Sequence, residues 1–97
     1  MEIINNTEKL QFEYTKGGEV AKLEYRFYKQ KNIALVHTLV PDSMRGEGVA
    51  SALAAAAFAY AKEVDKKVMV YCPFVAAYVK KNPVVREQID RAYHPGL

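Results

Sequence analysis

Eight mostly apolar residues, Ile33 to Val40, run into Pro41. After a short polar stretch come Gly46-Glu47-Gly48, and then an apolar run from Val49 to Lys62. The first run has the length and composition of a strand in the middle of a sheet. The second is a helix: with its last turn to Glu63 it carries eight alanines, so a neighbouring element can pack very close to it. The junction between them is therefore strand, glycine loop, helix. The first N–H groups of a helix have no partner within it, and the helix dipole is positive at that end. Glycines let an anion reach the backbone with no Cβ in the way. Arg45 adds a fixed positive charge beside them. The junction is built to hold an anion, and a phosphate-bearing ligand is the expectation.

The spacing excludes two common phosphate loops. No Gly-Lys-Ser/Thr follows the glycines, so it is not a P-loop. Ser51 stands where a dinucleotide fingerprint needs a third Gly or Ala, and no acidic residue closes a second strand about twenty residues on. Arg45-x-x-Gly48-x-Ala50 resembles instead the Arg/Gln-x-x-Gly-x-Gly/Ala signature of the GNAT superfamily of N-acetyltransferases. The resemblance implies that Arg45, Gly46, Glu47, Gly48, Val49, Ala50 and Ser51 hold the pyrophosphate of acetyl-CoA. It also implies that the pantetheine arm runs along the backbone of Thr38, Leu39 and Val40.

The rest of the chain reads as alternating elements. Leu10 to Tyr14 alternates apolar and polar, as a half-buried strand does, and Gly17-Gly18 is a hairpin turn. Val20 to Tyr28 alternates again, with Leu23, Tyr25 and Phe27 on one face and Lys22, Glu24 and Arg26 on the other. Lys31-Asn32 makes the turn into Ile33–Val40. Three strands in succession give an antiparallel meander. The helix, expected from Gly46 to Glu63, ends at Asp65. Lys67 to Tyr71 is a fourth strand, reached through a helical crossover and so parallel to the third. Pro73 suits the first turn of a helix from Phe74 to Lys81, which Asn82-Pro83 stops. Val84 to Tyr93 is expected as a third helix with Val85, Ile89 and Tyr93 on one face, and His94-Pro95-Gly96 as a frayed end.

This is a single α/β domain spanning residues 1–97. The order of three strands, helix, strand, helix resembles the core of the GNAT fold, in which two central parallel strands splay apart and admit the cofactor. The splayed pair here is Ile33–Val40 and Lys67–Tyr71. Ala76-Ala77-Tyr78-Val79-Lys80-Lys81 is similar to the family's segment on the following helix, with Asn82-Pro83 in place of its usual Gly-Phe. The resemblance gives Tyr78 the role of protonating the departing thiolate. Ordinary members place one or two helices between their first strands, where they shape the acceptor site. This chain has only Gly17-Gly18 there and looks like a short, compact branch of the superfamily.

Bulk properties narrow the class. The chain has 97 residues, half of them hydrophobic, which suffices for one modest core. One cysteine forms no intramolecular disulfide, and the N-terminus lacks the basic and apolar regions of a signal peptide. A cytoplasmic protein with no membrane partner is expected. The net charge is +3, but the lysines come in scattered pairs rather than a basic block with interleaved aromatics, which argues against nucleic acid. One Cys and two His at distant positions do not give a metal site.

Three residues are candidates for chemistry. Cys72, before Pro73 at a helix start, is either a nucleophile that takes the acetyl group, with His37 as its base, or a thiol that packs under the helix. The short branch resembles this chain at Cys72-Pro73-Phe74-Val75. His37 is either a general base for an amine or a hydrogen-bonded strand residue. Tyr78 is the candidate acid. The function expected is acetyl-CoA-dependent transfer of an acetyl group to an amine, without a metal. Direct attack by the amine is preferred over an acetyl-cysteine. The rival is a CoA-binding module with little catalysis.

Overall fold

Each alternating run of the sequence is a strand in the computed structural model, which describes all 97 residues. The strands are β1 (Ile4–Asn6), β2 (Gln11–Lys16), β3 (Glu19–Tyr28), β4 (Asn32–Leu39) and β5 (Lys67–Val70). The helices are α1 (Val49–Glu63) and α2 (Pro73–Lys81). The sheet runs β1-β2-β3-β4-β5, with antiparallel pairing up to β4 and parallel pairing between β4 and β5. The antiparallel part therefore has four strands, not the expected three. β1 escaped the sequence reading because three residues are too few to show a period. Its pairing places Asn5 where its Oδ1 accepts a 2.8 Å hydrogen bond from the Tyr25 hydroxyl.

Strand alternation sorts side chains onto two faces, because cross-strand partners share a face. Phe12, Ala21, Leu23, Tyr25, Ile33, Leu35, Val68 and Val70 lie on the first face and are buried. Helix α1 packs on β2, β3, β4 and β5 from this side. Ala54, Ala57 and Ala61 are wholly buried beneath it, with Leu53 and Phe58 filling the space on either side. Small side chains let the helix approach the sheet, while Leu53 and Phe58 supply the buried area, about 1.5–3 kcal/mol for each large apolar side chain. Helix α2 adds Val75 and Val79 to the same core. The second face carries Lys22, Glu24, Arg26 and His37, all half or fully exposed, with Lys22 and Glu24 paired at 3.0 Å. No helix is long and apolar enough to cross a membrane.

Two expectations about the ends of elements are corrected. α1 begins at Val49 rather than Gly46, because Gly48 takes a left-handed conformation (φ 78°) and caps the helix. Val84–Tyr93 is not a helix. A 3-10 turn spans Pro83–Gln88, after which the chain extends and Ile89 bridges to Val68 in parallel. Asp90 N–H donates to the Val68 carbonyl at 3.0 Å. β5 would otherwise leave its outer edge unpaired, and satisfying those groups outweighs a helical turn in a segment that opens with Pro83 and two valines. Val85 and Ile89 are buried as their spacing suggested, but Tyr93 is 41 % exposed.

The close approach of α1 makes a size test direct. Ala57→Leu should destabilise the fold by about 1–3 kcal/mol through overpacking, whereas Ala59→Leu, on the exposed face, should change it by less than about 0.5 kcal/mol. Urea unfolding of the two variants checks this.

Candidate functional site

β5 accompanies β4 only from Asn32 to Leu35, and the last rung is the Tyr71 N–H donating to the Leu35 carbonyl at 3.0 Å. β4 goes on to Leu39, paired on its other side with β3. The two strands have parted, and the β4 edge from Val36 to Leu39 has no strand beside it. A bulge sits at the same place. Glu24 pairs with His37 and Tyr25 with Leu35, so Val36 is left without a partner. A bulge bends its strand and resets which face each following residue uses. Thr38 consequently joins Leu23 on the core face, and His37 joins Glu24 on the exposed one. The sequence carries no mark of this bulge.

Pro41 ends β4, a 3-10 turn follows at Asp42–Met44, and Met44 is buried as a plug beneath the loop. Gly46 and Gly48 both have positive φ, near 79° and 78°, and a Cβ built on either would meet nothing within 4 Å. They are glycines for their backbone conformation, and the space above them is open. The first intrahelical bond runs from Ala52 N–H to the Gly48 carbonyl at 3.0 Å, so the N–H groups of Val49, Ala50 and Ser51 remain at the helix start. A cleft of about 470 Å³ opens there, lined by Val40, Met44, Arg45, Gly46, Gly48, Val49, Ala50, Ser51 and Phe74. Seven of the ten residues expected around the cofactor line this one cleft. Thr38 and Leu39 lie just up-chain of it on β4, and Glu47 turns away to an ion pair with Lys16 at 3.0 Å.

That ion pair raises the Lys16 ammonium above its ordinary value, first through the hydrogen bond to Glu47 and then through its charge. With the Ser43 hydroxyl donating to the Glu19 carboxylate, it ties the β2–β3 hairpin to the loop. Neither contact was visible in the sequence, since the partners are 31 and 24 residues apart. Arg45 is 78 % exposed in its side chain and pairs with Asp42 at 3.0 Å. Its guanidinium is at the mouth of the cleft and already holds a carboxylate.

The three candidates for chemistry separate. Cys72 caps α2 and is 3 % exposed, and its Sγ donates to Thr38 Oγ1 at 3.1 Å across the divergence. Thr38, not His37, is thus the partner of the thiol, because the bulge turns His37 to the other face. His37 stands exposed opposite Glu24, whose carboxyl is held below its ordinary value mainly by the hydrogen bond from Lys22 and in lesser part by His37. Tyr78 is half-buried one turn beyond Phe74 and stacks on Phe58 with ring centroids 5.9 Å apart.

Splayed parallel strands beside a glycine loop at a helix start define a GNAT-like α/β fold. The sequence profile described as GCN5-related N-acetyl-transferase matches residues 11–88, and the chain belongs to that family. It is similar to Protein NATD1 of Xenopus tropicalis, 37 % identical over 82 residues that cover 82 % of this chain and 75 % of that one. The Gallus gallus protein of the same name is 34 % identical over 86 residues, covering 87 % and 78 %. The Homo sapiens one is 41 % identical over 64 residues, covering 66 % and 57 %.

The Cys72–Thr38 contact predicts its own cost. Thr38→Val keeps the shape but removes the acceptor of a buried thiol, and should destabilise by about 1 kcal/mol in urea unfolding.

Proposed function

We propose that the protein is an acetyl-CoA-dependent N-acetyltransferase acting on an amine. The observation that carries this reading is the free β4 edge from Val36 to Leu39, which leads directly into the glycine-loop cleft. An extended arm bearing amides adds to such an edge as a strand would. The backbone of Thr38, Leu39 and Val40 is assigned to the pantetheine arm. Arg45 and the N–H groups from Gly46 to Ser51 are assigned to the pyrophosphate. The fit is supported by the absence of any Cβ over the two glycines and by the open space above them. The bound thioester supplies an acetyl carbonyl activated for attack.

The chain's own residues then position groups and move protons. His37, exposed beside the divergence, takes the proton of the incoming amine. Tyr78 donates a proton to the leaving thiolate. Direct transfer is favoured over an acetyl-cysteine by the surroundings of Cys72. Its thiol is buried, its hydrogen-bond partner is a hydroxyl rather than a base, and the imidazole expected to activate it projects from the opposite face. The acceptor approaches the exposed face, which carries His37 and Glu24.

The binding half of the reading is tested by calorimetric titration with acetyl-CoA. Arg45→Ala should weaken binding about tenfold, the scale of one charge-assisted hydrogen bond. Asp42→Asn should strengthen it a few-fold, because the guanidinium no longer has a competing carboxylate. Gly48→Val should abolish it. A branched residue at φ 78° also costs about 1–2 kcal/mol of stability, so the variant is compared at a temperature where it remains folded. Normal binding by folded Gly48→Val would mean that the loop is not the phosphate site.

The chemical half is tested by CoA release with a panel of amines and by intact mass. Cys72→Ala should stay active, with Tyr78→Phe more impaired and His37→Gln losing activity most at low amine concentration. A stoichiometric, hydroxylamine-labile acetyl group on Cys72 that an amine discharges would overturn direct transfer. Tight acetyl-CoA binding without release to any amine would favour a cofactor-binding module.

A further inference from the structure

Residues 89–97 lie beyond the stretch that matches the family and form a strap along the outer edge of β5. Asp90 anchors it. Its N–H donates to the Val68 carbonyl at 3.0 Å, and its carboxylate accepts from Asn32 Nδ2 at 2.7 Å and from Ala92 N–H at 2.9 Å. The next outward-facing N–H on β5 belongs to Val70, and no carbonyl meets it. His94 Nε2 accepts it at 2.9 Å, and the imidazole sits edge-on to Tyr71 with ring centroids 5.6 Å apart. Val70 and Tyr71 are therefore held from opposite sides. Tyr71 is held inward by the last rung to Leu35, and Val70 outward by the imidazole. Cys72 follows directly, buried against Thr38.

We propose that His94 is a positioning residue for the transfer reaction: its neutral imidazole completes the β5 edge at the point of divergence and so fixes the opening beside Thr38 and Cys72. The role in catalysis rests on the acetyl-transfer reading above; the contact itself does not. An imidazolium has two donors and no acceptor, so a protonated His94 presents an N–H to an N–H and the bond is lost. Protonating the Nε2 acceptor therefore breaks the contact with the Val70 amide. The groups around it are Asp90 and Tyr93 on the strap, Lys67 on β5, Tyr71 just after β5, and Tyr28 on β3, which packs edge-on against Tyr93. The Asp90 carboxyl is held below its ordinary value, first by the Asn32 hydrogen bond and then by the Ala92 N–H.

Two variants separate the acceptor from the bulk. His94→Gln offers a carbonyl oxygen near the Nε2 position that does not protonate between about pH 5 and 8. His94→Leu fills space and accepts nothing. In the wild-type protein, hydrogen-exchange protection of the Val70 amide, corrected for intrinsic rate and referred to Ile33, should fall about tenfold from pH 8 to pH 5, the scale of one hydrogen bond. In His94→Gln it should stay level, and in His94→Leu it should be low throughout. Alkylation of Cys72 by iodoacetamide at pH 8 should be several-fold faster in His94→Leu than in the other two. With acetyl-CoA and an amine, His94→Leu should lose kcat with little change in the KM for acetyl-CoA, and His94→Gln should restore it. Wild-type protection that does not respond to pH overturns the proposal even if His94→Leu fails to fold. Protection that responds while kcat and Cys72 alkylation stay at wild-type values in His94→Leu overturns the positioning role. A wild-type protein that acetylates no amine removes the reaction, and the positioning role with it, while the amide still reports on the strap.

Discussion

Between Leu35 and Val36 the fourth strand loses one neighbour and keeps the other. Everything of functional interest follows from that step. Up to it, β4 is held on both sides and its residues are core. Beyond it, β4 offers a free edge on one side while β3 still fixes its position on the other. A free edge held rigid from behind is what an extended ligand needs, because the receiving strand loses no further freedom when the ligand adds. The glycine loop follows within the same stretch of chain, so the edge and the cleft above the loop have a fixed spacing.

The divergence is stabilised from several directions. Met44 fills the space under the loop, and the hydroxyl of Thr38 accepts from the thiol that begins α2. The hairpin ties to the loop through Lys16 and Ser43, and the C-terminal strap ties to the far edge of β5. The surface ion pairs among these are screened by salt and contribute little to stability. Their value is geometric, since each connects the loop or the diverging strand to an element far away in sequence. In a chain without front helices, the hairpin supplies a support for the loop that a local element does not.

The exposed sheet face is a consequence of the same economy of length. One layer of helix covers one face of the sheet, and the other carries charged side chains on β3 with Ala34 and Met69 buried toward its β4–β5 side. Lys22, Glu24 and Arg26 alternate along β3 for that reason, and His37 joins them because of the bulge. In the proposed reaction the acceptor would meet a sheet surface rather than a walled pocket.

Much of this was legible in the chain. Period-two alternation marked β2 and β3, the uniform apolar run marked β4 as central, and Gly46-x-Gly48 before an alanine-rich run marked the strand–loop–helix junction. These are local signals, carried by residues within a few positions of one another, and a short segment contains all the physics that produces them. β1 is too short to show a period, and the strap runs extended because an unpaired edge of β5 was waiting for it, not because of its own apolar spacing. The Val36 bulge decides whether His37 or Thr38 meets Cys72, and it depends on how β3 and β4 settle into register along their whole length. His94 reads as part of a frayed end in the sequence, yet it completes a strand edge 24 residues away. What the residues determined alone was the kinds of elements, their order and the strand–glycine loop–helix junction. Which side chains face one another across the opening was decided only in three dimensions, because hydrogen-bond partners for strand edges are chosen by proximity in the folded sheet.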